Sequence, residues 1–198
     1  MRAILIGGTS HVGKSTLAET LAARLGWQHT STDSLSRHPG RPWRKKGKVP
    51  PDVQSHYLSH RAEELVDEVL RHYHDNVWPI AKALIQSRIS NPYDTGIVLE
   101  GSAIWPDSVV NACFEKTVSV WLTATKDVIT DRIHRNSDYH QRSEQDRLMI
   151  DRFLHRSLLY DEQLTQAAKR SEQRCVDVSE TGPADQLLDD LSGESPYP

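Results

Sequence analysis

Cysteine and long apolar runs are scarce in this sequence of 198 residues. The two cysteines, Cys113 and Cys175, lie far apart and outside any metal-ligand spacing, which argues against a disulfide scaffold or a cysteine-bound zinc. No apolar run approaches the roughly 20 residues that a helix needs to span a bilayer. The first apolar run begins at residue 3 and is short, so we expect no signal peptide. We therefore expect a cytoplasmic protein with reduced cysteines and no membrane partner.

The chain also lacks a large excess of positive or negative charge. The chain has 24 Lys and Arg against 27 Asp and Glu, which gives a formal net charge of −3. This balance provides no general attraction to nucleic acid, so we expect no nucleic-acid partner. The hydrophobic fraction of 37% and the charged fraction of 26% are ordinary for a globular protein. The length fits one domain over residues 1–198 and is short for two.

What the chain does contain is a glycine-rich loop between an apolar run and a helical pattern. The loop matches G-x-x-x-x-G-K-[ST] and leads into the helix through Thr16; its residues are Gly8, Thr9, Ser10, His11, Val12, Gly13, Lys14 and Ser15. Glycines let successive N–H groups point at phosphate oxygens, and the helix N-terminus adds partial positive charge. We expect residues 8–16 to bind ATP, with Lys14 on the β- and γ-phosphates, the Ser15 hydroxyl on Mg²⁺ and the His11 side chain outward. The alternative is a glycine-rich turn without a ligand.

Strand and helix patterns alternate along the chain, which is typical of a mostly parallel sheet covered on both faces. The predicted strands lie at residues 2–7, 27–30, 97–99, 117–122 and 175–178. The predicted helices lie at residues 14–25, 51–74, 79–90, 126–136, 146–170 and 183–191. Residues 36–90 form an insertion between the second and third strands. No internal repeat or second domain boundary is visible.

These patterns together resemble the P-loop small-molecule kinases. The resemblance is carried by residues 6–18, 25–26, 31–34 and 99–101. Within this group the chain is most similar to the 2-phosphoglycerate kinases, and it also resembles the shikimate, gluconate and nucleoside-monophosphate kinases and chloramphenicol phosphotransferase. The resemblance implies an α/β P-loop NTPase fold with a five-stranded parallel sheet, an acceptor-binding helical insertion at 36–90 and a lid at 132–145. It also implies phosphoryl transfer from ATP with Mg²⁺, but it does not identify the acceptor.

Two acidic residues follow predicted strands at the edge of the sheet where ligands of α/β folds bind. Asp33 stands where similar kinases place an aspartate that binds the acceptor hydroxyl and takes its proton. The alternative for Asp33 is a helix-capping or turn aspartate. Glu100 ends the fully apolar run 97–99, where a carboxylate can hold Mg²⁺ or bind the acceptor.

Three arginines occupy the lid position of related kinases. We expect Arg132 and Arg135 to act in catalysis by covering the transferring phosphate, and Arg142 to bind substrate. The alternative is an ordinary solvated helix face, on which these arginines pair with Asp131 or Asp138.

Six cations lie between residues 37 and 48 with no acid among them. This basic segment contains Arg37, Arg41, Arg44, Lys45, Lys46 and Lys48. Its place beside the expected acceptor site favours an anionic acceptor, with Arg37 and Arg41 as the contacts. A solvated basic loop is the alternative. Trp43 either closes over the ligand or holds the segment in place.

The histidine pattern is a weaker signal. His56 and His60 are spaced i, i+4 on a predicted helix, but a metal site needs further ligands and the chain has no H-E-x-x-H motif. We interpret these two histidines as surface or packing residues.

The function that these features favour is an ATP-dependent kinase of a small, anionic, hydroxyl-bearing metabolite. Transfer to an antibiotic, a nucleotide or a nucleic-acid end stays open, as do a nucleotide-hydrolysing switch and a regulator without turnover. Two missing motifs argue against a GTPase switch. The chain lacks the guanine-specific N-K-x-D motif, because residues 125–127 have the wrong spacing for it, and no D-x-x-G sequence follows the third strand.

Overall fold

The computed structural model describes residues 1–37, 39–91 and 93–193. Its strands are β1 Ala3–Gly8, β2 Gln28–Ser31, β3 Ile97–Glu100, β4 Thr117–Thr123 and β5 Cys175–Asp177. These five strands form one parallel sheet in the order β2-β3-β1-β4-β5. The helices are α1 Lys14–Leu25, α2 Pro51–Ser59, α3 Ala62–His72, α4 Trp78–Ser90, α5 Pro106–Ala112, α6 Lys126–Ser137, α7 Glu144–Arg170 and α8 Thr181–Ser192. No helix in the described part is long and apolar enough to cross a membrane.

Strand β1 is the centre of the sheet, and every residue in it is buried. Ile4 and Ile6 point into one apolar cluster, whereas Ala3 and Leu5 point into another, because successive strand residues face opposite sides of the sheet. Helices α1, α6 and α8 pack in the first cluster, α4 and α5 pack in the second, and α7 contributes to both. A continuous apolar strand therefore fits a position covered on both faces.

The strand register determines which side chains meet at the carboxyl edge of the sheet. Ile6 of β1 pairs with Glu100 of β3, and Ser31 of β2 pairs with Glu100 from the other side. The chain that leaves β1 and the turn that follows β2 therefore flank the end of β3. This is the edge at which open α/β sheets bind ligands.

Residues between β2 and β3 form three helices, and here one predicted element is wrong. The helix expected over 51–74 divides at His60 and Arg61, both of which have extended backbone. The break is stabilised because the Arg61 N–H donates to Glu64 Oε2 at 2.7 Å and caps α3. A five-residue π-helical turn, Tyr73–Val77, then joins α3 to α4. Periodicity alone did not reveal the break, because the apolar stripe continues on both sides of it.

Gly7 provides a test of the packing beneath the loop that follows β1. A Cβ at this position would lie 2.3 Å from Trp121 Cδ1 and 2.8 Å from the Ile104 carbonyl oxygen. We expect Gly7→Ala to lower the free energy of unfolding by about 1–3 kcal/mol, measured by urea denaturation, because the buried indole has no space to move. Gly182→Ala is the matched control, since nothing lies within 4 Å of its Cβ position. Equal stabilities for the two variants would contradict this packing.

Candidate active site

The loop after β1 has the backbone conformation that anion binding requires. Gly8, His11 and Gly13 have φ values of 144°, 66° and 101°. A Cβ on Gly8 would lie 2.5 Å from the Leu122 carbonyl oxygen, so this position accepts only glycine. Gly13 precedes the first turn of α1 and provides no side-chain cap, which leaves the N–H groups of that turn available to an anion.

Lys14 lies within this loop and is only 8% exposed. Its Nζ donates a hydrogen bond to the Thr9 carbonyl oxygen at 2.7 Å. Burial lowers the pKa of Lys14, and the nearby carboxylates of Glu100 and Asp33 act in the opposite direction. The loop is attached to α7, because Thr9 Oγ1 donates to the Ser157 carbonyl oxygen at 2.9 Å. The ammonium group is thus placed between the loop and two acids.

Ser15 and Glu100 form a pair of oxygen donors beside Lys14. The Ser15 hydroxyl donates to Glu100 Oε1 over 3.3 Å, and Glu100 is 3% exposed. A hydroxyl and a buried carboxylate are hard oxygen ligands of the kind that Mg²⁺ prefers. The chemistry of these two residues therefore fits the expected metal, and Ser15 and Glu100 could hold it.

Asp33 lies in the short turn Thr32–Ser34 that follows β2. The cap of this turn is Ser31, whose Oγ accepts from the Asp33 N–H at 3.3 Å, so the Asp33 carboxylate is not needed for capping. The turn approaches the end of β3 closely, since a Cβ on Gly101 would overlap Thr32 Oγ1. This close approach places the turn that carries Asp33 beside the end of β3, where the Asp33 charge acts on Lys14.

A cavity of about 990 Å³ joins these elements. It brings together most of the predicted site residues, namely Ser10, His11, Gly13, Lys14, Ser15, Thr16, Asp33, Arg37, Arg41, Glu100, Arg132 and Arg135. The basic segment contributes Arg37, Arg41 and Lys45 to the lining. An anionic ligand in the cavity would thus meet cations from two separate parts of the chain.

The three predicted lid arginines have different environments. Arg132 donates to the His11 carbonyl oxygen at 3.2 Å and to the Val178 carbonyl oxygen at 3.4 Å, which joins α6 to the loop. Arg135 is 79% exposed and lies 3.6 Å from Asp131. Arg142 donates to the carbonyl oxygens of Ser137 and Arg44 and lies outside the cavity lining. The structure therefore brings Arg132 and Arg135 to the site but uses Arg142 to attach the basic segment to the end of α6.

The expectation that the His11 side chain points outward is wrong. Its ring packs against Trp43 at 5.8 Å and Phe153 at 6.1 Å between ring centroids. Burial, reinforced by the nearby charge of Arg41, lowers the pKa of His11 to about 4, so the ring is neutral near pH 7. Trp43 is 4% exposed and donates from Nε1 to Asn136 Oδ1 at 3.2 Å. Trp43 thus holds the basic segment against α6.

Arg156 is a site residue that the sequence analysis missed. It is 6% exposed, yet it lines the cavity from α7. Its guanidinium lies 4.5 Å above the Phe153 ring, and Nη1 donates to the Tyr57 hydroxyl at 3.1 Å. Within residues 1–37, 39–91 and 93–193, no carboxylate lies within ion-pair distance of it. The sequence did contain a signal for this residue, because Arg156 is a charged residue within the apolar stripe of a long helix.

Asp161 is a second buried charge on α7 that was missed. It is 8% exposed, and Oδ2 accepts a hydrogen bond from the Thr123 hydroxyl. Burial raises the pKa of Asp161 to about 6, while the Thr123 hydrogen bond acts in the opposite direction. The charge of Asp161 raises the pKa of Lys14, so this carboxyl group is part of the electrostatic surroundings of the loop.

Comparison with known proteins gives matches in structure alone. No protein-family model matches the chain, and no curated protein is similar to it in sequence. A gluconokinase from Sinorhizobium meliloti 1021 matches with 17% identity and a TM-score of 0.51, over 98% of this chain and 97% of its own. Shikimate kinase from Aquifex aeolicus matches with 14% identity and a TM-score of 0.52, over 97% and 96%. An uncharacterized protein from Eubacterium ventriosum matches with 11% identity and a TM-score of 0.53, over 98% and 97%.

These matches confirm the predicted fold. The chain has the α/β P-loop NTPase fold found in kinases of small molecules, with five parallel strands flanked by helices. The similarity extends over almost the whole chain, beyond the short segments that carried the sequence resemblance.

The raised pKa of Asp161 predicts how stability changes with pH. A folded-state pKa of about 6 against an ordinary value of 3.8 means that the folded protein binds this proton more tightly than the unfolded chain. The Asp161 contribution to the free energy of unfolding is therefore most favourable below pH 4 and falls by up to about 3 kcal/mol as the pH rises to 6. Asp161→Asn should remove this decline and be more stable than the parent at pH 7, measured by urea unfolding.

The control for this experiment is Glu162→Gln, an exposed neighbour on the same helix. It should keep the parental dependence of stability on pH between 4 and 7. If the free energies of unfolding of Asp161→Asn and the parent change in parallel between pH 4 and 7, the Asp161 carboxyl group does not have the raised pKa.

Proposed function

We propose that this protein is a phosphotransferase that moves the γ-phosphoryl group of Mg²⁺-bound ATP to the hydroxyl group of a small anionic metabolite. The observation that carries this proposal is the Arg156 guanidinium, which is buried and faces the cavity without a carboxylate partner in the described chain. A buried cation needs an opposite charge, and an anionic acceptor would supply it. The glycine-rich loop lines the same cavity, so donor and acceptor would meet there.

Each part of the site has a role in this reaction. The loop N–H groups and Lys14 hold the phosphates, and Ser15 with Glu100 would hold Mg²⁺, which when bound neutralises charge on the phosphate oxygens. Asp33 orients the acceptor hydroxyl and accepts its proton. Arg132 and Arg135 stabilise the negative charge that develops on the transferring group. These are the roles that phosphoryl transfer requires of a protein, namely positioning and electrostatic stabilisation.

Four cations of the cavity lining favour a small anionic acceptor: Arg37, Arg41 and Lys45 of the basic segment, and Arg156 of α7. We assign the part of the lining that these cations form as the acceptor end of the cavity. The structural neighbours named for gluconate and shikimate also support a small-molecule acceptor. We place Arg156, Arg37 and Arg41 on the acceptor anion, and leave Arg142 out because its contacts lie elsewhere.

The test is ADP release from Mg²⁺-ATP in the presence of paired compounds that differ in charge. Suitable pairs are gluconate with glucose and 2-phosphoglycerate with glycerol, with Lys14→Ala as the inactive control. Stimulation by an anionic member of a pair, with phosphate found in the product by mass spectrometry, supports the proposal. Hydrolysis that no acceptor changes would instead favour a nucleotide-hydrolysing switch.

Replacement of Asp33 tests its assignment as the proton acceptor. We expect Asp33→Asn to lower kcat by about 10²–10⁴-fold, because an amide cannot take a proton from the hydroxyl group. Its affinity for Mg²⁺-ATP, measured by calorimetry, should stay at the parental value. Asp52→Asn, which changes an exposed aspartate in the first turn of α2, should keep the parental kcat. Full turnover in Asp33→Asn would exclude this role.

Replacement of Arg156 tests the anionic acceptor. We expect Arg156→Gln to raise the acceptor KM by about 10–100-fold, because a charge-assisted hydrogen bond is lost. Arg156→Lys should recover part of the loss, since it keeps the charge but not the planar fork. The matched control is Arg170→Gln on the exposed end of the same helix. If a neutral acceptor works equally well and Arg156→Gln leaves its KM unchanged, the anionic-acceptor assignment is wrong.

A further inference from the structure

Three metal-ligating side chains converge at the break between α2 and α3, away from the lining of the central cavity. His56 lies in α2, His60 follows the last residue of α2, and Glu68 lies in α3. His56 Nδ1 is 3.5 Å from Glu68 Oε2, and His60 Nε2 is 3.3 Å from Glu68 Oε1. The ligand atoms of the three residues all lie within 4.8 Å of one another. The two histidines alone gave no reason to assign a metal site, and Glu68 of α3 supplies the third ligand group.

The spacing of these atoms suits a tetrahedral metal ion. Ligands at about 2.0–2.2 Å from zinc lie roughly 3.3–3.6 Å from one another. Glu68 presents Oε2 to His56 and Oε1 to His60 at distances of this size, and one ligand atom from each of the three residues lies within 4.8 Å of the other two. One carboxylate and two imidazoles leave a fourth position for water. The three residues are half-buried, with side-chain exposures of 20%, 34% and 39% for His56, His60 and Glu68, so an ion could enter from solvent.

The surroundings also orient one of the ligands. His60 Nδ1 lies 2.9 Å from the His56 carbonyl oxygen. A carbonyl oxygen accepts only from an N–H, so Nδ1 carries a proton, and Nε2 is the nitrogen that can bind a metal on the side of Glu68. Metal-bound histidines are commonly oriented in this way, by a hydrogen bond from the nitrogen that does not bind the metal.

We propose that His56, His60 and Glu68 form a zinc site that joins α2 to α3. Two nitrogen ligands favour Zn²⁺ and its transition-metal neighbours over Mg²⁺, so this site differs chemically from the oxygen pair of Ser15 and Glu100. The proposal does not depend on the phosphotransferase activity.

The site is connected to the acceptor end of the cavity through α2. Tyr57 follows His56, donates to the Gly40 carbonyl oxygen at 2.7 Å and accepts from Arg156 at 3.1 Å. Arg152 of α7 donates to the carbonyl oxygens of Leu58 and His60 at the end of the same helix. A metal ion that links His56 and His60 to α3 would hold this end of α2, and with it Tyr57, in position.

Metal binding to the full chain tests the proposal directly. After treatment with a chelator and its removal, Zn²⁺ should bind with a stoichiometry of one, measured by calorimetry. Co²⁺ should give the intense visible absorption of a tetrahedral site. His56→Gln and Glu68→Gln should each weaken Zn²⁺ binding by at least about 100-fold, more than the loss of a supporting residue causes. The thermal unfolding midpoint should rise with Zn²⁺ in the parent but not in these two variants.

His74→Gln is the matched control, because His74 and Asp75 form an exposed imidazole–carboxylate pair of similar chemistry. It should bind Zn²⁺ as the parent does. Each of three results would overturn the proposal. The first is parental Zn²⁺ binding by His56→Gln and Glu68→Gln, the second is Zn²⁺ binding by the parent only at millimolar concentration, and the third is a weak, octahedral Co²⁺ spectrum. The Co²⁺ spectrum of the parent decides the matter even if a variant fails to fold, and circular dichroism of each metal-free variant checks its folding.

Discussion

Burial of β1 on both faces, with a parallel neighbour on each side, is the constraint on which the site depends. Its side chains alternate into two apolar clusters, and its backbone pairs with β3 and β4. A shift of one residue would exchange the contents of the two clusters, so this register is strongly specified. The glycine-rich loop therefore begins from a rigid edge, with Glu100 on the adjacent strand. The contact between Ser15 and Glu100 follows from this arrangement.

Two buried cations of the site, Lys14 and Arg156, have different surroundings. Burial of Lys14 or Glu100 alone would carry a large desolvation cost, and the two lie close enough for each to offset the other. Arg156 has instead an aromatic ring and a tyrosine hydroxyl as its partners. The proposed function explains this difference, because the acceptor anion would complete the pair. Helix α7 carries both Arg156 and the buried Asp161, and thus connects the acceptor end of the cavity with the surroundings of Lys14.

Much of the fold and part of the site could be predicted from local patterns. The loop pattern placed Lys14 and Ser15 correctly beside each other at the start of α1, and the apolar run before Glu100 indicated a buried strand end. The break at His60 and Arg61 was missed, because it depends on a capping hydrogen bond from the Arg61 N–H to Glu64 and not on periodicity. The short helix α5 was missed as well, since seven residues are too few to show a clear repeat. Arg156 lies in the predicted helix 146–170 but was not identified as a site residue, because only the packing of α7 shows that it is buried and lines the cavity.

The sequence by itself determined the succession of the five strands along the chain, the glycine-rich loop and the cations of the basic segment, because these depend on residues close together in the chain. Only the tertiary structure decided that Arg142 is used to hold the basic segment, that the His11 ring packs against Trp43 and Phe153, and that Glu68 meets two histidines. Each of these outcomes depends on contacts between different loops and helices. Packing of that kind is set by the whole core, which no local pattern records.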